Sequence, residues 1–127
     1  VADDLDRLFD QLNDRYFGGG LPKYRVLRCV SQIGEHGFID DETRRIWICD
    51  GPDPRATLLH EMCHIGTPGH GRPFRAKLRR LAHRGETWAE AERVYYLRQE
   101  RQIPSGGWNV VWELARYVRQ GAITWIG

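Results

Sequence analysis

His60-Glu61-Met62-Cys63-His64-Ile65-Gly66-Thr67-Pro68-Gly69-His70 is the stretch on which the reading of this chain turns. On an α-helix, residues four apart lie about 40° from each other around the axis, so the imidazoles of His60 and His64 can reach one ion. Glu61 stands between them and faces the same cleft without having to be a ligand. His70 follows six residues after His64. Three neutral nitrogen donors leave the fourth position of a tetrahedral zinc ion open to water, which separates a catalytic site from a closed structural one.

The flanking residues prescribe the helix. Asp53 is a good N-cap and Pro54 a good first helical residue. Arg55 to Ile65 contains no breaker, and Gly66 supplies a C-terminal stop. Ala56, Leu59 and Cys63 form an apolar stripe with Leu58 and Met62 beside it, and Cys63 reads as a buried thiol rather than a ligand. Gly66, Pro68 and Gly69 can turn the chain so that His70 comes back over the metal-facing side. The competing third ligand is a glutamate from a later helix, Glu86, Glu90 or Glu92, in a His-His-Glu set; the glycine-rich turn favours His70.

Such a set implies hydrolysis. Zinc would lower the pKa of its bound water toward about 7 and polarise a substrate carbonyl. Glu61 would take the water proton and hand it to the leaving amine, and a peptide bond is the bond this set suits best. An oxyanion stabiliser is also needed, and His36, Tyr95 and Tyr96 are candidates among which the sequence does not choose. The metzincin pattern places a third histidine at the same offset. Its glycine is Thr67 here, however, and Met62, inside the motif, is the sole methionine, so no methionine turn can follow.

His60-Glu61-Met62-Cys63-His64 followed by His70-Gly71-Arg72-Pro73-Phe74 resembles the signature of the SprT-like (Spartan-type) zinc metallopeptidases. Thr57-Leu58-Leu59 before the motif and the stretch from Asn13 to Pro22 fit the same family, and the likeness covers residues 3 to 85. The resemblance implies His60, His64 and His70 as zinc ligands and Glu61 as general base. It implies an α+β, zincin-like domain: an N-terminal helix, a short three-stranded sheet, the metal-binding helix and C-terminal helices. In peptidases of this kind an edge strand beside the cleft takes up substrate as an added strand, and Arg45 to Cys49 is one candidate for it. Many members carry a zinc ribbon of paired C-x-x-C motifs. With Cys29, Cys49 and Cys63 alone, this chain cannot build one, and from Glu86 onward it has no counterpart in the family.

Periodicity supplies the remaining elements. Leu5, Leu8, Phe9, Leu12 and Tyr16 recur at helical spacing between Asp3 and Phe17, and Gly18-Gly19-Gly20 ends that helix. Tyr24 to Val30 reads as a strand, while Gly37 to Asp40 and Arg45 to Cys49 read as a hairpin turning at Asp41-Glu42-Thr43. Val26, Ile39, Ile46 and Ile48 are the expected buried side of the sheet. Pro73 to Arg84 follows as a helix with Phe74, Leu78 and Leu81 on one face. Thr87 to Gln102 and Trp108 to Gln120 read as two further helices, rich in aromatic residues. They serve either as a pair completing a small core or as a docking surface, and their amphipathic stripes favour the core.

Composition bounds the rest. With 127 residues, 41% of them hydrophobic, a single domain over 1–127 is expected, its motif-bearing core at 3–85 and a helical extension at 86–127. There is no apolar run long enough to span a membrane and no secretory signal in these residues. Three cysteines, an odd number, point to reduced thiols and a cytoplasmic setting. The net charge of +2 does not by itself indicate nucleic-acid binding. Arg72, Arg75, Lys77, Arg79, Arg80 and Arg84 nevertheless follow the third histidine with no acid among them. That helix would suit a substrate held on DNA, as the resemblance implies, or form a solvated face balanced by Glu86, Glu90 and Glu92. The expected function is a zinc-dependent metalloendopeptidase acting on a protein or peptide; the alternative is a non-catalytic zinc-binding interaction or regulatory domain.

Overall fold

Leu5, Phe9 and Leu12, spaced to share one face, are buried along α1 (Asp4–Phe17). The computed structural model to which this helix belongs describes residues 4–29, 36–49 and 53–102. Among them the chain forms two compact units, separated in sequence between Pro68 and Gly69. Gly18 and Gly19 take positive φ values of 61° and 73° and end α1 in the left-handed conformation that glycine tolerates. Buried Asn13 then clamps the loop, donating to the carbonyl of Leu21 and accepting from its amide, both at 3.1 Å.

The first unit continues with β1 (Arg25–Cys29), β2 (Gly37–Asp40), β3 (Arg45–Cys49) and α2 (Pro54–Cys63). The sheet order is β1-β3-β2, with β1 parallel and β2 antiparallel to β3. Val26 and Ile46 lie in register and are fully buried, and Ile48 is nearly so; Ile39, opposite Ile46, is half-buried. Both α1 and α2 pack against the strands. On the alternate side-chain set, Phe38 stacks on its cross-strand partner Trp47, ring centroids 4.6 Å apart. Asp40 closes the hairpin by accepting from the amides of Glu42 and Thr43 and from the Thr43 hydroxyl. The second unit holds α3 (Arg72–His83) and α4 (Thr87–Gln102), joined through Gly85 at φ 102° and packed on each other, with Phe74, Leu78, Leu81, Ala89 and Tyr96 buried.

The described residues are thus an α+β arrangement of four helices and a mixed sheet, and none of their helices is long and apolar enough to cross a membrane. Two expectations are corrected. Arg45–Cys49 is the central strand, because β1 pairs on its far side, so the edges are β1 and β2. The cysteines are not all reduced: Cys29 and Cys49 face each other in the parallel register and form a disulfide, while Cys63 takes no part in it and is buried as expected. Strand pairing, which is non-local, makes this bond, and counting cysteines could not reveal it. The expected helix at Trp108–Gln120 lies outside the described residues.

Tyr24 enters β1 with its hydroxyl donating to Asp41 Oδ1 at 2.6 Å, which ties the strand to the hairpin turn. Burial, reinforced by that carboxylate, pushes the Tyr24 phenol up to about 12. The folded state therefore holds this proton more tightly than the unfolded chain, whose phenol titrates near about 10. The stabilisation is intact below pH about 10 and is lost as pH rises through about 12. In an ultraviolet phenolate titration Tyr24 should ionise late, and Tyr24→Phe should remove that step and flatten the alkaline decline in stability. A Tyr24 step at the ordinary phenol value would contradict the assignment.

Candidate metal centre

Asp53 starts α2 as expected. Its Oδ1 accepts from the Ala56 amide at 3.0 Å, its carbonyl accepts from Thr57 Oγ1 at 3.0 Å, and Pro54 occupies the first turn. Leu58, Leu59, Met62 and Cys63 are completely buried, which anchors the helix on several sides. His60, Glu61 and His64 are buried with them, at 4%, 2% and 8% exposure. Polar side chains placed this deep require partners, since an unsatisfied buried polar group is costly.

The two histidines supply much of that themselves. Their Nε2 atoms stand 3.2 Å apart, with ring planes inclined at 64°. Two nitrogens bound at about 2.0–2.1 Å to one tetrahedral zinc would be about 3.3 Å apart, so the pair already has the spacing of a metal chelate. The chain after the helix sets the tautomer. Gly66, at φ 72°, turns it so that the Thr67 amide donates to the His64 carbonyl at 2.9 Å. The Thr67 carbonyl then meets His64 Nδ1 at 3.2 Å. A carbonyl can only accept, so Nδ1 of neutral His64 carries the hydrogen and Nε2 presents its lone pair. This is the arrangement usual for a metal-binding histidine, whose second nitrogen is held by a backbone carbonyl. The two imidazoles therefore suit a shared metal ion.

The edge strand β2 comes close to α2 beside Glu61. A methyl group at Gly37, the first residue of β2, would lie 2.8 Å from Thr57 Cγ2, 3.0 Å from the Trp47 carbonyl and 3.4 Å from Glu61 Cγ. Only a residue without Cβ lets β2 approach α2 at this point. The motif reading missed Gly37, although a glycine opening a strand is itself a sign of close backbone approach. The strand beside the motif glutamate is therefore β2.

His70 belongs to the second unit. It is half-buried, preceded by Gly69 at φ 75° and followed by Gly71, the N-cap of α3. Its ring is stacked on Tyr96, centroids 3.9 Å apart and planes 5° from parallel, with Phe74 edge-on at 5.0 Å. Its carbonyl accepts from Arg75 Nη1 at 3.1 Å, and Arg75 is paired with Glu100. The other oxyanion candidates are Tyr95 and His36. Tyr95 is 55% exposed and accepts from Gln99, and His36 belongs to the first unit, where its carbonyl accepts from the Cys49 amide. The rival carboxylates have other partners: Glu90 binds Arg93, and buried Glu86 accepts from Trp88 Nε1; Glu92 is half-buried. The basic run is also less uniform than its sequence: Arg75 is buried, while Arg72, Arg79, Arg80 and Arg84 are exposed.

Gly37→Ala should destabilise the protein by about 1–3 kcal/mol, because its methyl must displace Thr57 or the strand. Chemical denaturation would measure this, and a loss within about 0.5 kcal/mol would show that the close approach of β2 is not required.

Comparison with protein-family models, with curated proteins and with solved structures found no match. The likeness to SprT-like peptidases therefore rests on the motif residues alone.

Proposed function

We propose that this protein is a zinc-dependent metalloendopeptidase of SprT-like, zincin-like type. His60, His64 and His70 hold the metal and Glu61 is the general base. The observation that carries this reading is the His60–His64 pair, with Nε2 atoms 3.2 Å apart and the tautomer of His64 set by Thr67. As the third donor His70 would offer one ring nitrogen, as His60 and His64 do. Six residues of chain span at most about 20 Å, so His70 is tethered within short reach of His64.

Zinc bound there would supply Lewis acidity, acidifying water and polarising the scissile carbonyl. Glu61, carried on α2 beside β2, takes the proton from the attacking water and delivers it to the leaving amine. Thr67 keeps the lone pair of His64 Nε2 directed toward His60, whose own Nε2 lone pair would turn to the same point on binding the metal. The substrate is a protein or peptide. For a substrate carried on DNA, the exposed arginines of α3 are the groups that would meet phosphate, a narrower face than six consecutive basic residues suggest. A cytoplasmic location would require the Cys29–Cys49 bond to withstand a reducing thiol pool. The depth at which His60, Glu61 and His64 are buried favours a second reading, a non-catalytic zinc-binding interaction or regulatory domain in which the metal secures the fold.

Zinc content, melting temperature and cleavage of an unfolded protein, each measured for wild type and Glu61→Gln, separate the two. A peptidase predicts unchanged zinc and melting temperature in the variant, with cleavage reduced by about 10²–10⁴-fold. Wild type that holds zinc yet cleaves nothing, with or without DNA, supports the non-catalytic domain. Wild type that takes up no zinc eliminates both.

A further inference from the structure

We infer that α4 positions the third histidine: Tyr96 holds the His70 ring by stacking, and Glu100 holds its main chain through Arg75. This rests on His70 being a metal ligand. His70 lies between two glycines in a turn, so neither helix nor strand restricts its backbone or its side-chain rotamer. A ligand on such a turn must be ordered from outside, or its conformational entropy weakens every bond it forms.

Two independent restraints supply that order. The main chain is held by Arg75, a side chain 8% exposed, which gives Nη1 to the His70 carbonyl and pairs with Glu100 through Nη2. The ring is held by buried Tyr96, nearly coplanar at 3.9 Å, and by the edge contact with Phe74. Tyr96 and Glu100 are four residues apart on α4 and so share one face, while Phe74 and Arg75 come from the first turn of α3. One face of the helical pair thus reads both the ring and the carbonyl of a single loop residue.

The direction of the stacking matters. A ring resting on an imidazole face blocks tilting but does not itself cover the ring edge, where a metal approaches in the ring plane. The electron-rich face of tyrosine also accommodates the positive charge that an imidazole gains on binding a cation. The hydroxyl has no part in this role, which makes Tyr96 a positioning residue and gives α4, which has no counterpart in the resemblance, a task at the site.

Zinc affinity by competition with a chromogenic chelator, and the visible spectrum of the cobalt-loaded protein, test the role. Tyr96→Ala should weaken zinc binding about tenfold and alter the cobalt bands, and Tyr96→Phe should restore both to near wild type. Tyr96→Leu, which keeps bulk without an aromatic face, should behave like alanine and covers the case in which the alanine variant does not fold. Glu100→Gln should give a smaller loss of affinity. Alanine and leucine variants with wild-type affinity and spectrum would overturn the assignment, as would a phenylalanine variant no better than alanine. Wild type without metal uptake would instead remove the ligand role of His70 itself, and this positioning role with it.

Discussion

The contact between His60 Nε2 and His64 Nε2, 3.2 Å apart in a buried stretch of α2, is the constraint on which the rest of the first unit depends. Two imidazoles can face each other nitrogen to nitrogen only if one donates or both direct lone pairs at a cation. Thr67 decides which end of His64 carries the hydrogen, and it can do so only because Gly66 adopts a left-handed conformation and returns the chain to the helix end. The glycine after the motif thus controls the chemistry of the histidine two residues before it.

A polar trio can remain buried only where the surroundings are rigid. Leu58, Leu59, Met62 and Cys63 exclude water from the other sides of the helix, and β2 closes on Glu61 at the glycine that permits contact. The sheet is held by features far apart in sequence: Asp6 of α1 accepts from the Val26 amide at 2.9 Å, Tyr24 reaches Asp41, and the disulfide joins β1 to β3. The second unit solves a different problem with different means. Its α3–α4 pair surrounds a loop histidine with an aromatic face, an aromatic edge and an arginine bonded to the main chain.

Much of this was legible along the chain. Asp53-Pro54 announced the start of α2, the spacing of Leu5, Phe9 and Leu12 announced α1, and Thr87 was read as the start of α4. These are local signals, because caps, breakers and helical periods act over a few residues. Legibility failed where partners are distant in sequence. The central place of β3, the Cys29–Cys49 bond and the need for glycine at position 37 all arise from strand pairing, which no window of neighbouring residues contains.

The sequence by itself determined that a helix would carry two histidines and a glutamate at a chelating spacing, since the 3.6-residue period puts them there in any fold. Only the tertiary structure decided the tautomer of His64, the strand that flanks Glu61 and which of two adjacent tyrosines meets His70. The period of a helix is a property of the backbone alone. Which nitrogen bears a proton, and which ring lies against which, depend on groups brought together by folding.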